Sequence, residues 1–220
     1  VAPYFGSSTF IWASLIGVTL LFLSLGYWFG GRVADARPDA RLLYLIIGIA
    51  AIAMALIVPI SRPILRTSLD AFDDRNAGAF LGSLVATLLL FAPTMLALGM
   101  VAPMAIRLRM TGVEDAGKAA GSLYALSTAG SILGSFVPVL ILLPAVGTRW
   151  TFAILAIAMV IMSIIGLMAE ASMPRAASVA ILFIAAMAIM GFGSRGTLKP
   201  PYRGELIAEI ESDNNYIQVL

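Results

Sequence analysis

The sequence predicts an all-α polytopic membrane protein, a helical bundle of about six transmembrane helices with a short C-terminal β-hairpin. Three observations lead there. The 220 residues are 60% hydrophobic and only 12% charged, with a mean hydropathy of +0.99, whereas a soluble domain carries about 25% charged residues. Apolar runs recur at close to the ~20 residues a helix needs to cross a hydrocarbon core of about 30 Å. After residue 193 the composition turns polar, and alternation replaces continuous hydrophobicity.

Composition also excludes function classes. There is no Cys and no His, so disulfides, thiolate or imidazole metal ligands, Cys nucleophiles and His bases are absent from these residues. No catalytic residue and no metal ligand set is assigned. A net charge of +2, scattered among loops, gives no footprint for nucleic acid. Asp70, Asp73 and Asp74 lack the Gly turn and ligand spacing of a cation loop and read as solvated.

In chain order, Val1 to Ser8 lack both a start Met and the basic region of a signal peptide, and read as the continuation of a chain begun earlier. The first span is expected over Thr9 to Gly30, with Trp12 near one end and Tyr27 and Trp28 near the other, where aromatic rings favour the membrane interface. Further spans are expected over Leu42 to Ile60, Ala79 to Ile106, Ala119 to Pro144, Trp150 to Ala169 and Ser178 to Gly193. The last is short enough to be a short span or a re-entrant segment. Pro93 and Pro103 predict a kink in the third. Between the second and third, Ile64, Leu65, Leu69 and Phe72 recur at helical spacing within Ser61 to Gly78, the pattern of a separate amphipathic helix lying at the interface. None of the six runs holds Asp, Glu, Lys or Arg in its interior. Pumps and ion-coupled transporters keep such groups at membrane depth, so this pattern counts against active transport of a charged solute.

The stretch GKAAGSLYALSTAGSILGSFVPVLILLPAVG, Gly117 to Gly147, carries small residues where a lipid-facing helix carries Leu. Ser127, Ser131 and Ser135 repeat every four residues beside a G-x-x-x-G of Gly130 and Gly134, so other helices are expected to approach this backbone closely. It reads as the central packing helix of the bundle, or else as a substrate path along its hydroxyl-lined face. Pro138 removes one of its backbone hydrogen bonds and predicts a bend. Beyond the spans, residues 194–204 form a linker stiffened by Pro200 and Pro201. Residues 205–220 read as a hairpin, with Leu206, Ala208 and Ile210 alternating, turn residues over Ser212 to Asn215, and a second strand from Tyr216.

Two resemblances follow from these residues. The polar segment GGRVADARPDARLL, Gly30 to Leu43, resembles the loop signature of major facilitator transporters, with Gly31, Asp35 and Arg41 fitting and the second signature glycine replaced near Pro38 and Asp39. The resemblance implies a cytoplasmic loop whose Asp and Arg clip helix ends together. More of the chain is covered by a second likeness. The blocks APYFGSSTFIWASLIGVTLLFLSLGYWFGGRVAD, GMVAPMAIRL and GSLYALSTAGSILGSFVPVLILLPAVGTRWT resemble the membrane domain of fused spermidine synthase-like proteins, in which a facilitator-like helical bundle precedes an aminopropyltransferase domain. The C-terminal residues are similar to the opening hairpin of spermidine synthases. Glu211, Ser212, Ile217 and Val219 fit, Asn215 falls at the substrate-adjacent position, and Asn214 stands where a Tyr is usual.

This likeness implies a bundle that anchors or regulates an aminopropyltransferase-type domain while holding no complete active site itself. Decarboxylated S-adenosylmethionine is then the expected donor only where a synthase domain follows. Expected partners are the lipid bilayer, a C-terminal synthase-like domain or partner subunit, and further copies or a larger membrane complex, with no nucleic acid. The expected location is a bacterial inner (plasma) membrane. Seven Lys and Arg residues fall on each side of the expected topology, which leaves sidedness open. The alternatives are a facilitator-like transporter bundle for a neutral or amphiphilic solute and a structural subunit of a larger membrane assembly.

Overall fold

A backbone surrounded by lipid must satisfy its own hydrogen bonds, and long apolar runs do so as helices. The computed structural model describes residues 9–71, 78–110, 112, 116–193, 208–211 and 216–219. Its elements are α1 (Thr9–Ala36), α2 (Ala40–Asp70), α3 (Gly78–Arg109), α4 (Ala116–Val137), a π-helical turn (Pro138–Leu142), α5 (Leu143–Ala169) and α6 (Met173–Gly193), then strands β1 (Ala208–Glu211) and β2 (Tyr216–Val219). The strands pair antiparallel, with Ala208 opposite Val219 and Glu211 opposite Tyr216.

Among the described residues five helical runs, rather than six, are long and apolar enough to cross a membrane. The fourth and fifth expected spans are joined in one run of 54 residues, Ala116–Ala169. At 1.5 Å per residue such a run would be about 80 Å long if straight, well over twice a bilayer core. It is not straight. Pro138 cannot donate to a carbonyl in the preceding turn, and the register widens until the Leu143 N–H donates to the Pro138 carbonyl, the spacing of a π turn. Gly147 then leaves helical geometry altogether (φ 74°, ψ 171°), a conformation a side chain would resist.

Several boundaries differ from those expected. α1 continues to Ala36, so only Arg37, Pro38 and Asp39 separate it from α2. The separate interfacial helix after Ile60 does not form; α2 runs on through Pro59 and Pro63 to Asp70. Leu65 is buried there against Ile11, Ala86 and Leu90, and Ser61 Oγ donates to the Val58 carbonyl at 2.7 Å. Tertiary packing on α1 and α3 therefore holds the segment that sequence alone assigned to the interface. α3 is likewise continuous through Pro93 and Pro103. The short last segment is a helix of 21 residues that starts at Met173, with Pro174 in its first turn, where a missing N–H costs nothing.

α2 is the middle of the packing. One face places Ala50 and Ile46 with Ala34, Ala97 and Met104; the other places Ala51 and Ala55 with Ala156, Val160, Leu167, Val179 and Phe183. α1 packs chiefly on α3. There the backbones touch: a Cβ on Gly99 would lie 2.6 Å from the Leu23 carbonyl oxygen, one on Gly30 would lie 2.6 Å from Met100 Cα, and one on Gly26 would meet the Leu96 carbonyl. Gly26 and Gly30 are themselves a G-x-x-x-G pair.

Gly117 to Gly147 is not the central helix of the described bundle. Ala119 is its buried residue in α4, while Ser127, Gly130, Ser131 and Gly134 are exposed, and nothing lies within 4 Å of where a Cβ on Gly130 or Gly134 would be. α4 is thus the peripheral helix of the described bundle. The substitutions Gly26→Ala and Gly99→Ala should each lower stability by about 1–3 kcal/mol through overpacking. Gly130→Ala should be neutral or stabilising by up to about 1 kcal/mol through helix propensity. Denaturation in mild detergent measures all three, and equal loss at Gly99 and Gly130 would contradict the packing described.

Candidate functional site

The polar chemistry gathers at one end of the bundle, where α1, α3 and α5 end and α2 and α6 begin. Pro38 stops α1, and Asp39 starts α2 as its N-cap. The Asp39 side chain Oδ1 accepts the Arg41 N–H at 2.9 Å, and its carbonyl accepts the Leu42 N–H at 3.0 Å. The Arg41 side chain crosses to the end of α5, where Nε donates to the Glu170 carbonyl at 3.1 Å. That carbonyl belongs to the unsatisfied C-terminal set of α5, so the guanidinium acts as a distant cap and meets the negative end of the helix dipole.

α5 closes in a Schellman arrangement. The Ser172 N–H donates to the Leu167 carbonyl at 2.9 Å and the Ala171 N–H to the Met168 carbonyl at 3.0 Å, with Ala171 in the left-handed region at φ 52°. Ser172 then opens α6, its carbonyl accepting the Ala176 N–H at 3.0 Å. Arg175 Nη1 reaches Ser172 Oγ at 3.5 Å. Beside this, Arg107 Nε on α3 lies 3.6 Å from Asp35 Oδ1 on α1, with the Asp35 side chain 80% exposed. Arg32 lies 3.5 Å over the centre of the Trp28 ring.

A crevice of about 350 Å³ opens among these groups, lined by Arg37, Pro38, Asp39, Arg41, Leu42, Leu45 and Arg175. Its lining combines three guanidinium groups, one carboxylate, a proline and two leucines.

The residues expected from the facilitator-like loop are only partly brought together. Gly31 lies on α1 with open space where a Cβ would be, so no close approach requires a glycine there. Asp35 and Arg41 each join helix ends, but different ones: Asp35 ties α1 to α3, and Arg41 ties α2 to α5. Ser127, Gly130, Ser131 and Gly134 lie far out on α4, so the hydroxyl-lined path is not in the bundle interior. Asn215 lies outside the described residues, as do Ser212, the whole 194–204 linker and residues 205–207 before β1. Sequence reasoning missed Arg175 and the Glu170 carbonyl, whose nearness to Arg41 spans 129 residues of chain and leaves no local signal.

No family model, no curated protein and no solved structure matches this chain.

Arg41→Ala should destabilise the bundle by about 1–2 kcal/mol, the value of a charge-assisted bond to a helix terminus. Asp35→Asn should shift it by no more than about 0.5 kcal/mol, because an exposed ion pair contributes little. Thermal unfolding of both variants in one detergent compares them directly. At Ala171, replacement by Gly should stabilise by about 1 kcal/mol, since it removes the left-handed cost of a Cβ; a lower unfolding midpoint would contradict the cap geometry.

Proposed function

We propose that this chain is the membrane-embedded bundle of a spermidine synthase-like protein, anchoring or regulating an aminopropyltransferase-type domain attached through its C-terminal strands. The observation that carries the proposal is the change of architecture after Gly193. Five helical runs suited to a bilayer are followed by a polar segment in which β1 pairs with β2. A hairpin of four-residue strands is marginal alone and calls for a further sheet or partner surface. The three sequence blocks and the Glu211, Ile217 and Val219 positions support the same assignment.

In this proposal the break at Gly147 turns Ala116–Ala169 into two crossings, giving six. Arg149 Nη2 bonds the Met190 carbonyl at 3.4 Å near the end of α6, while Glu170 meets Arg41 at the opposite end, which supports a full crossing by the rest of α5. The location is a bacterial inner membrane, and the donor for the attached domain is decarboxylated S-adenosylmethionine. Reading the gene beyond the codon for Leu220 tests the assignment. A glycine-rich strand followed by paired acidic residues is expected, together with aminopropyl transfer by the full-length product; a stop codon directly after Leu220 would end it.

Membership in a larger membrane assembly is the second function we propose to test, and the exposure of α4 along its small-residue face favours it. Gly130→Leu should then dissociate the complex recovered in gentle detergent, whereas a monodisperse monomer before and after substitution would exclude that role.

A further inference from the structure

Arg37, Arg41 and Arg175 face one crevice in which Asp39 is the sole carboxylate of the lining. We propose that this crevice is a binding site for a phosphate group, of the kind carried by an anionic lipid headgroup or by free phosphate.

The charge balance comes first. Three guanidiniums face one carboxylate, and that carboxylate is already engaged: Asp39 Oδ1 holds the Arg41 N–H as the cap of α2. Both α2 and α6 begin at this end, and their positive dipole ends are offset by the negative ends of α1 and α5, so the excess of positive charge is that of the side chains.

The donors are not spent. Arg41 uses Nε on the Glu170 carbonyl, and Arg175 uses Nη1 on Ser172 Oγ at the outer limit of a hydrogen bond, 3.5 Å. The rest of each fork stays available. The Arg37 side chain makes no hydrogen bond or ion pair among the described residues. Planar guanidinium forks match the oxygens of a phosphate in pairs, a fit that a lysine cluster lacks.

Shape and place complete the case. About 350 Å³ falls within the range of small-ligand sites, about 300–1,000 Å³. Leu42 and Leu45 complete the lining at the start of the apolar span of α2, which places the crevice at the polar edge of that span. Basic crevices between helices at a membrane interface suit lipid headgroups on the same grounds.

The test uses the full chain in a neutral maltoside detergent. Native mass spectrometry follows titration with phosphatidylglycerol, phosphatidylcholine and, separately, inorganic phosphate. Phosphatidylglycerol should bind in preference to phosphatidylcholine. Arg37→Gln/Arg175→Gln should weaken it about thirtyfold, each guanidinium contributing about fivefold. Arg66→Gln, exposed on α2 toward the other end of the bundle, should leave affinity unchanged. Should the double variant fail to elute as a folded species, each single variant is expected to lose about fivefold. Loss of phosphatidylglycerol affinity assigns the lipid as the source of the phosphate. Loss confined to inorganic phosphate assigns a soluble phosphate to the same site. Equal affinities of wild type and the Arg37 and Arg175 variants for both probes would overturn the site.

Discussion

Backbone contact between α1 and α3 is the constraint on which the arrangement of the other helices rests. In lipid, apolar side chains gain little by leaving one apolar surroundings for another, so helices associate through close van der Waals packing and occasional polar contacts. Gly26, Gly30 and Gly99 remove the side chains that would hold α1 and α3 apart, and Leu23 and Leu96 carbonyls then face the opposing backbone. α2 lies against the pair so formed, with Ala50 fully buried beside Ala97 and Met104. Its opposite face repeats the device, Ala51 and Ala55 meeting Ala156 at zero exposure. The result is a bundle whose centre is built from residues too small to define a soluble core, while Trp12, Leu20, Leu21 and Ile181 point outward. Outward apolar residues are a liability in water and are ordinary in a bilayer.

Helix existence was legible in the sequence because a continuous apolar run of twenty residues has few other ways to satisfy its backbone. Helix ends were less so. Arg32 and Asp35 look like loop residues, yet α1 carries both, since polar side chains at the end of a span can reach water without unwinding the backbone. The same holds for Arg62 and Arg66 in α2, and there the buried Leu65 shows which tertiary contacts extend the helix.

The two small-residue stripes are indistinguishable by local pattern. Gly26 with Gly30, and Gly130 with Gly134, are the same local pattern. What separates them is the partner. Gly99 sits opposite the first pair, seventy-three residues along the chain from Gly26, and nothing within the described residues sits opposite the second. A spacing rule states that a backbone can be approached; it carries no information on which helix arrives. The serine stripe is subject to the same rule. In α4, Ser135 Oγ of this stripe, like Thr128 Oγ1 beside it, donates to a carbonyl one turn back, at Ser131 and Tyr124 respectively, so that hydroxyl serves its own helix.

The charged end follows from topology combined with linker length. Short connections, Arg37–Asp39 and Glu170–Ser172, place the carbonyl-rich ends of α1 and α5 beside the amide-rich starts of α2 and α6. Opposite partial charges therefore alternate over a small area. Arg41 resolves one half of this pattern by donating to the Glu170 carbonyl across the gap. The amide-rich half keeps one engaged carboxylate, Asp39, and is bordered by Arg37 and Arg175. The helix ends balance in sign, and the excess of positive charge at the crevice comes from Arg37, Arg41 and Arg175 against Asp39, with Arg41 belonging to both halves. Arg41 therefore fastens α2 to α5 while its remaining N–H groups border the crevice, so one guanidinium serves both the joint between the helices and the lining.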